Sequence, residues 1–381
     1  MRDTGPEDTP AGSSLGSRTA SPGHTLVIRR FRPGDEISLN ALYNRVFQQQ
    51  RSLAEWRWKF EANRIASGLG SQVINVAEIN GTIVGQFPSI TARFKIGDHE
   101  ELLAQGLDTA VDQDYRGGAN VIVELSRAHT LLLGESGALF GYGVPNPAHY
   151  KIGKWLLQYR NLCPLITLRR RLNWRHSIRR RFPNLPRPVV HAAGWLGAAT
   201  TQRLLRPVQS SSLTIREVER FDAGTDALWN HSRGRYGILA VRDARYLNWR
   251  YADRPGRPYT ILQAENNGSV LGFTVLRMAE EGQDAVGLIM DLFAEPNQTI
   301  EEALAREALR WCLGRGADYV LCRLVPDDPI GVSLIDCGFR EHPAFPRLQV
   351  VYAPHEPAEQ RYPCIHDPRQ WHMGYGDFDG H

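Results

Sequence analysis

The sequence predicts an α/β protein of the α+β type, made of two similar halves that each have a mixed central sheet flanked by helices. The first observation is an internal repeat. "EWRWKFEANR" from Glu55 precedes "VINVAEINGTIVGQF" from Val73, and "YLNWRYADRP" from Tyr246 precedes "YTILQAENNGSVLGF" from Tyr259. The second observation is that the same order of elements follows each repeat. Two copies of one pattern in one order indicate an internal duplication.

Each repeat begins with an aromatic trio and continues into a hairpin. The trios are Trp58-Lys59-Phe60 and Trp249-Arg250-Tyr251, and the turns are Asn80-Gly81 and Asn267-Gly268. Asn-Gly favours tight hairpins because both residues adopt a positive φ easily. We expect the trio aromatics to pack in the core while Lys59 and Arg250 extend to water. A platform for stacking a sugar ring is the alternative.

Both halves then continue with a strand, a helix and a second strand. The strands are "LLAQGLDTAVD" and "ALFGYGVPN" in the first half, and "AVGLIMDLFAE" and "ADYVLCRLVP" in the second. Between them lie "NVIVELSRAHTLLLGES" and "IEEALAREALRWCLGRG", whose apolar residues recur at helical spacing. Shorter helical runs, "EISLNALYNRVF" and "TDALWNHSRGR", precede the hairpins. Strands and helices in this order favour a mixed sheet over a regular βαβ array.

Composition divides the chain into five segments. They are a disordered tail (1–24), a first domain (25–164), a basic linker (165–212), a second domain (213–355) and a C-terminal tail (356–381). Eight arginines and no acidic residue lie between Leu168 and Val189, so the rest of the chain has a net charge of −4, although the whole chain has +4. We expect a solvated linker, although a patch for nucleic acid or an anionic membrane is an alternative.

The overall composition limits the class of protein. Of 381 residues, 42% are hydrophobic, yet no uninterrupted run reaches the length of a membrane span. The first 24 residues lack the apolar core of a secretion signal, and the five cysteines form no CxxC pair. We therefore expect a cytoplasmic protein with free thiols. The ending "WHMGYGDFDGH" carries His372, Asp377, Asp379 and His381 without regular ligand spacing. We predict no metal site there, and a tail that folds back over the second half.

The loop "DQDYRGGAN", residues 112–120, stands between a strand and a helix. A helix N-terminus offers unpaired N–H groups and the positive end of the helix dipole. Glycines let an anion approach the backbone, and Arg116 adds a positive charge. The loop is therefore a candidate cradle for a pyrophosphate, and the alternative is a Gly-Gly turn without a ligand.

The loop and the segment after the next strand resemble one family. "LFGYGVPNPAHYKIGKWLL" carries Asn146, Ala148, Tyr150 and Gly153 after its strand. With Arg116 and the glycines, this order resembles the GNAT superfamily of acyl-CoA-dependent N-acyltransferases. The family's phosphate pattern, [Gln/Arg]-x-x-Gly-x-[Gly/Ala], is complete in neither possible register. The second half has the strand and helix but lacks the arginine and glycines, so only the first half is expected to hold a cofactor.

The resemblance implies two tandem GNAT-like domains and an N-acetyltransferase that uses acetyl-CoA or another acyl-CoA as co-substrate. Its implied cofactor-binding residues are Thr109, Ala110, Val111, Arg116, Gly117, Gly118, Ala119, Asn120, Val121 and Asn146. Tyr150 would protonate the leaving thiolate. Asp108 is the candidate base, with Glu100, Glu101 and Asp112 as alternatives. Each has a structural alternative: Tyr150 at the core edge, Asn146 capping a turn, Arg116 solvated, Asp108 paired with an arginine.

Three functions remain open at this point. The first is acyl transfer to a primary amine of a small molecule, such as an amino sugar or amino metabolite, with no nucleic-acid partner. The second is a FemABX-like transferase that uses aminoacyl-tRNA and contacts RNA through its arginines. The third is a non-catalytic module. The acceptor, the length of the acyl group and the oligomeric state are not indicated by the sequence.

Overall fold

A computed structural model describes the chain over most of its length. The described residues are 17–21, 24–69, 72–116, 120–173, 213–256, 259–343, 347–353 and 356–378, with residue 345 and several positions between 178 and 189. The helices of the first half are α1 (Asp35–Phe47), α2 (Leu53–Arg57), α3 (Asn63–Ser67), α4 (Val121–Ser136) and α5 (Pro147–Leu156). Those of the second half are α6 (Ala223–Ser232), α7 (Ala244–Leu247), α8 (Gln298–Gly314), α9 (Pro329–Asp336) and α10 (Glu356–Arg361).

The strands form one continuous mixed sheet. Those before residue 200 are β1 (Ser17–Ser21), β2 (His24–Arg30), β3 (Val73–Ile79), β4 (Thr82–Ile96), β5 (His99–Gly106), β6 (Ala110–Val111), β7 (Phe140–Gly143) and β8 (Arg160–Arg171). The later ones are β9 (Leu213–Val218), β10 (Ile238–Ala240), β11 (Thr260–Asn266), β12 (Ser269–Glu281), β13 (Asp284–Ala294), β14 (Tyr319–Leu324), β15 (Arg340–Glu341), β16 (Leu348–Tyr352) and β17 (Trp371–His372).

The predicted duplication is present in the topology. In the first half, β2 to β5 form an antiparallel meander and β7 lies parallel to β5. In the second, β9, β11, β12 and β13 form the same meander and β14 lies parallel to β13. The helices α4 and α8 connect the parallel strands, since a parallel pair needs a long crossover. Asn80, Gly81, Asn267 and Gly268 have φ values of 49°, 78°, 48° and 81°, as the hairpin prediction requires.

The two halves exchange strands. The first part of β8 pairs with β16, from Leu165 opposite Leu348 to Arg160 opposite Tyr352. Its second part pairs with β14 of the other half, and β16 in turn pairs with β7. Each half is therefore completed by a strand from the other half. We conclude that neither half holds its full sheet alone.

Two predicted segments differ from the structure at their ends. Residues 165–171 of the predicted linker belong to β8, because their backbone groups are paired with β14 and β15. Ser17–Ser21, within the predicted disordered tail, forms the strand β1 against β2. Four of the eight arginines, Arg175, Arg179, Arg180 and Arg187, lie outside the described residues.

The trio aromatics pack in the core as predicted, but the expectation that Lys59 and Arg250 reach water is wrong. Their exposed fractions are only 5% and 2%. Each cation has a partner on the inner side: Lys59 Nζ lies 2.8 Å from Asp108 Oδ2, and Arg250 donates to the carbonyl oxygen of Gly376 at 2.7 Å. The Asp108 carboxylate and the Gly376 carbonyl group replace the water that would otherwise solvate these cations. The two long side chains can therefore point into the protein.

The C-terminal tail folds back, but it packs against both halves and not over the second half alone, since the Trp371 ring lies 6.2 Å from Phe94 of the first half. Trp371 and His372 form β17, parallel to β10. His372 lies 2.6 Å from Asp328, and Asp377 lies 2.9 Å from the buried Arg242. These side chains are thus occupied by protein partners. Among the described residues, no three potential ligands group into a metal site, and no helix has the length and apolarity to cross a membrane.

Candidate active site

A β-bulge interrupts the central strand of the first half. Ser89 lies opposite Gly106, but Gln86 lies opposite Ala110, so one extra residue stands between β5 and β6. Asp108, in this bulge, has a φ of 49°. A bulge bends its strand and redirects side chains, which suits the rim of a site.

The second half has a bulge at the matching place. Val275 pairs with Asp291 while Leu276 pairs with Ile289, which leaves Met290 as the extra residue. The two bulges make Asp108 and Asp291 equivalent positions. This equivalence gives a register in which the halves can be compared residue by residue.

Ion pairs fix both bulges. Asp108 Oδ2 accepts from Arg51 at 2.5 Å and from Lys59 at 2.8 Å, and Gln86 donates to the Asp108 carbonyl oxygen at 2.9 Å. In the second half, Arg242 holds Asp291 at 3.2 Å. Asp108 is therefore paired with an arginine, which was the structural alternative for this residue.

A cavity opens beyond the first bulge. The parallel strands β5 and β7 pair only from Leu103 opposite Phe140 to Gln105 opposite Tyr142, and then diverge. Between their ends, α4 and α5 enclose a space of about 370 Å³. Tyr352, on the strand exchanged from the second half, forms part of its wall. The cavity therefore depends on both halves.

Small side chains explain why the cavity lies in the first half. When the two halves are aligned on Asp108 and Asp291, three small residues of the first half correspond to larger apolar residues of the second. The corresponding residues are Ser89 and Leu276, Gly106 and Ile289, and Gly141 and Val320. The three residues of the first half line the cavity. Their counterparts are fully buried apolar side chains. The second half thus fills with side chains the space that the first half leaves open.

A chain of polar side chains forms the floor of the cavity. Ser89 Oγ lies 2.8 Å from His129 Nε2, and His129 Nδ1 lies 3.1 Å from Asn75 Oδ1. All three residues are buried, and the Phe87 ring stacks on the imidazole at 4.1 Å. Burial lowers the pKa of His129 to about 3, so its imidazole is neutral at physiological pH.

Two titratable side chains line the wall near α5. Burial raises the pKa of Tyr159 to about 12 and lowers the pKa of His149 below its usual 6.5. Their rings lie 6.1 Å apart. Gly153 makes room for this tyrosine, because a Cβ there would lie 2.2 Å from the Tyr159 ring. At neutral pH the phenol is therefore protonated and the imidazole is neutral.

The residues predicted after β7 take different positions. Tyr150 donates its hydroxyl to Asn161 Oδ1 at 3.0 Å and is not part of the cavity lining. Asn146 does line the cavity, and its side chain also caps α5 by accepting from His149 N at 2.8 Å. Thr109 lines the cavity, whereas Ala110 is buried in β6.

The predicted phosphate loop leads into α4. Arg116 is exposed, and its Nε donates to the Val111 carbonyl oxygen at 2.9 Å. Asp112, an alternative base, holds Arg45 at 2.5 Å. Asn120 has a φ of 47° directly before Val121, the first residue of α4. Gly117, Gly118 and Ala119 lie outside the described residues.

Ser89, His129, His149 and Tyr159 were not singled out from the sequence. No motif marks them, because they meet only through the packing of α4 and α5 on the sheet. A signal was nevertheless present in the repeat. Aligning the two copies on Asp108 and Asp291 places a serine and two glycines opposite large apolar residues, which indicates a cavity.

Comparisons with solved structures agree with this architecture. A probable N-acyltransferase from Enterococcus faecalis V583 superposes with a TM-score of 0.57 at 13% identity, over 86% of this chain and 72% of the other. A GCN5-related N-acetyltransferase from Anabaena variabilis gives 0.56 at 10% identity, over 86% and 72%. Saccharomyces cerevisiae N-myristoyltransferase, solved with bound myristoyl-CoA, gives 0.56 at 10% identity, over 93% and 88%.

Sequence comparison adds nothing to these likenesses, since no family model and no curated protein matches the chain. The fold class and the resemblance predicted from the sequence are confirmed at the level of the fold. The meander, the crossover helix α4 and the divergent parallel strands β5 and β7 occur in the order expected for that fold. The chain therefore has the GNAT fold.

Proposed function

We propose that the protein is an acyl-CoA-dependent N-acyltransferase that acts on a primary amine of a small molecule. The observation that carries this proposal is the cavity between the divergent ends of β5 and β7, open in the first half and filled in the second. One of the similar solved structures, the N-myristoyltransferase, holds myristoyl-CoA, which supports a CoA thioester as the acyl donor.

The start of α4 is the proposed site of the CoA pyrophosphate. Helix N-terminal N–H groups bind phosphate because they point outward at the positive end of the dipole. Arg116 lies on the loop that leads to this helix, and Asn120 is its N-cap residue. We expect the pantetheine arm to pass Asn146 and Thr109 into the cavity, which both residues line. Phosphate binding by Gly117, Gly118 and Ala119 of the loop stays a prediction.

Transfer requires an amine to attack the thioester carbon while both substrates are aligned in the cavity. Backbone N–H groups near the bulge, at Thr109 to Val111, are the proposed donors to the developing oxyanion. Tyr159 is the proposed acid for the departing thiolate, because its phenol lines the cavity and stays protonated. His149 is the proposed base, because its imidazole is neutral there. Tyr150 and Asp108 are the sequence-based alternatives.

Calorimetric titration with acetyl-CoA tests the first step. We expect micromolar binding to the wild type, and binding at least tenfold weaker in Arg116→Ala. Arg220→Ala is the matched control, since Arg220 is another exposed arginine, pairs with Asp253 at 2.6 Å in the second half and does not line the cavity. Absence of binding to any common acyl-CoA would contradict the proposal.

Release of free thiol with a panel of primary amines tests the chemistry. Tyr159→Phe and Tyr150→Phe form a matched pair, because each removes one hydroxyl. We expect Tyr159→Phe to lower kcat by about 10²-fold or more, as for loss of a general acid, and Tyr150→Phe to have little effect. The opposite result would assign the acid to Tyr150.

A further inference from the structure

The lining of the cavity presents three hydroxyl groups next to this floor. Ser89 on β4 and Ser126 on α4 are buried, whereas Thr130 on α4 is exposed. Ser126 donates to the Ile122 carbonyl oxygen at 2.6 Å, and Thr130 donates to the Ser126 carbonyl oxygen at 3.1 Å. Both hydroxyl hydrogens are therefore used within α4, and their lone pairs remain for the cavity.

The hydrogen of the Ser89 hydroxyl is also used within the protein. In the structure the Asn75 amide oxygen, which can only accept, faces His129 Nδ1, so Nδ1 carries the hydrogen of their contact. His129 Nε2 is then bare and accepts from Ser89 Oγ at 2.8 Å. The stacked Phe87 ring fixes the imidazole plane, and the low pKa of His129 preserves this direction at physiological pH. The floor thus consists of hydrogen-bond acceptors.

Such a floor is specific to the first half. Leu276 stands where Ser89 does, and α8 carries fully buried Ala308 and Leu309 at the level of His129. A buried Ser-His-Asn chain costs desolvation, and an apolar packing of the same fold is available in the same molecule. The polar chain is therefore explained by a ligand rather than by packing.

The depth of the floor indicates which part of the ligand it meets. His129 is eight residues after Val121, so it lies roughly 12 Å along α4 from the proposed phosphate position, at about 1.5 Å per residue. A ligand bound by its phosphates at the start of the helix reaches this depth with its opposite, acylated end.

We propose, on the basis of the proposed function, that the acyl group carries a hydrogen-bond donor, a hydroxyl or an amino group, which Ser89 Oγ accepts at the cavity floor. A short hydroxyacyl or aminoacyl thioester satisfies this floor. A saturated acyl group leaves the buried hydrogen-bond acceptors of the floor without a donor. A carboxylated acyl group places its own carboxylate oxygens, which also accept, against these acceptors.

Ser89 is a recognition group here and not a nucleophile. A serine nucleophile needs a basic imidazole whose charge is stabilised by a carboxylate. His129 instead contacts the neutral Asn75 amide, and its low pKa makes it a weak base. No acyl-serine is expected during turnover.

The test compares the affinities of free CoA, butyryl-CoA, 3-hydroxybutyryl-CoA and succinyl-CoA for the full chain. We expect the hydroxylated thioester to bind at least fivefold more tightly than butyryl-CoA, and succinyl-CoA to bind most weakly. Ser89→Ala removes the preference while free CoA keeps its affinity. Ser136→Ala is the matched control, because Ser136 lies on α4 outside the cavity lining.

Ser89→Cys, which nearly keeps the side-chain volume and weakens the acceptor, is the second variant, and it should also lower the preference. Equal affinities for butyryl-CoA and 3-hydroxybutyryl-CoA in the wild type would overturn this inference alone. So would a preference unchanged in Ser89→Ala, or an acyl-protein adduct seen by mass spectrometry. Absence of any CoA binding would overturn the proposed function as well.

Discussion

Trp58 and Trp249 occupy the same position in the two repeats and contact each other. Their rings stack with centroids 5.5 Å apart and planes at 16°. Each indole N–H donates to the carbonyl oxygen of the other residue, at 2.6 and 2.9 Å. The exchange of identical bonds means that the two halves meet about a local twofold relationship. The repeated tryptophan is thus an interface between the halves.

Replacing either tryptophan should destabilise the whole chain. Trp58→Phe or Trp249→Phe leaves a buried carbonyl oxygen without its donor and removes ring contact, at a cost of about 2–4 kcal/mol. The double variant should lose less than the sum, because the two residues share one interaction. Urea unfolding measures these energies. Strict additivity would show that the stack contributes no coupling.

The repeat, the helices and the hairpins were predictable from the sequence because they depend on local patterns. Asn80-Gly81, for example, requires only positive φ at neighbouring residues. The exchange of β8 and β16 was not predictable, since pairing of Leu165 with Leu348 joins residues distant in the chain. Nor was the inward turn of Lys59, whose partner Asp108 lies in a bulge that no local pattern marks.

The same contrast holds for the site. Asn146 was found by its place after β7, and it does line the cavity. The resemblance indicates Tyr150, and nothing in the sequence indicates Tyr159, because sequence order alone does not tell which face of α5 or which following loop meets the cavity. The structure decides this, since Gly153 admits the Tyr159 ring against the helix.

Filling the cavity should remove ligand binding without unfolding the protein. Gly141→Val introduces the side chain that Val320 has in the second half. Its Cβ would meet the terminal Cδ1 of Leu133 at 2.9 Å, and that flexible end can move. We expect acetyl-CoA affinity to fall at least tenfold with little change in Tm. Gly134→Ala is the control, because a Cβ there meets nothing within 4 Å. Unchanged affinity in Gly141→Val would place the ligand elsewhere.

His129 should make the folded state sensitive to acid. Its pKa is about 3 when folded and about 6.5 when unfolded, so the unfolded chain binds the additional proton between these values. The contribution of neutral His129 to the free energy of unfolding is fully present above pH 6.5 and is lost as the pH falls towards 3. Proton binding to His129 in the unfolded chain should lower the free energy of unfolding of the wild type by about 2 kcal/mol at pH 5. One pKa unit corresponds to about 1.4 kcal/mol.

His129→Gln should remove this loss from the pH dependence of the unfolding free energy. His231→Gln, at an exposed position on α6, is the control and should keep the wild-type dependence. Identical dependence in wild type and His129→Gln would show that His129 does not titrate as burial implies.

Protonation of His149 should cause the fall of kcat/KM at low pH, the acid limb of the pH profile. Burial lowers its pKa below 6.5, so the imidazole accepts a proton at neutral pH and loses this capacity only as the pH falls below that value. We expect kcat/KM for the amine to decline below pH 6.5 in the wild type. His149→Gln should be about 10²-fold slower and lack that limb. A limb that persists in the variant would assign the base to another group.

Replacing Asp108 by asparagine should distinguish a role in positioning the bulge from a role as the catalytic base. Its carboxylate compensates two buried cations, Arg51 and Lys59, so Asp108→Asn leaves them with a neutral partner. We expect a loss of about 3–5 kcal/mol of stability, the usual cost of breaking a buried ion pair. The bulge would relax, and CoA affinity should fall with the stability.

The pH dependence of any remaining activity should be unchanged in Asp108→Asn, because Asp108 acts through the shape of the bulge. Asp114→Asn, which alters an exposed carboxylate of the neighbouring turn, is the control for loss of charge. If Asp108→Asn kept its stability and CoA affinity but lost kcat by orders of magnitude, Asp108 would be the base that the sequence indicated. Measuring unfolding, binding and rate on the same variant decides between the two roles.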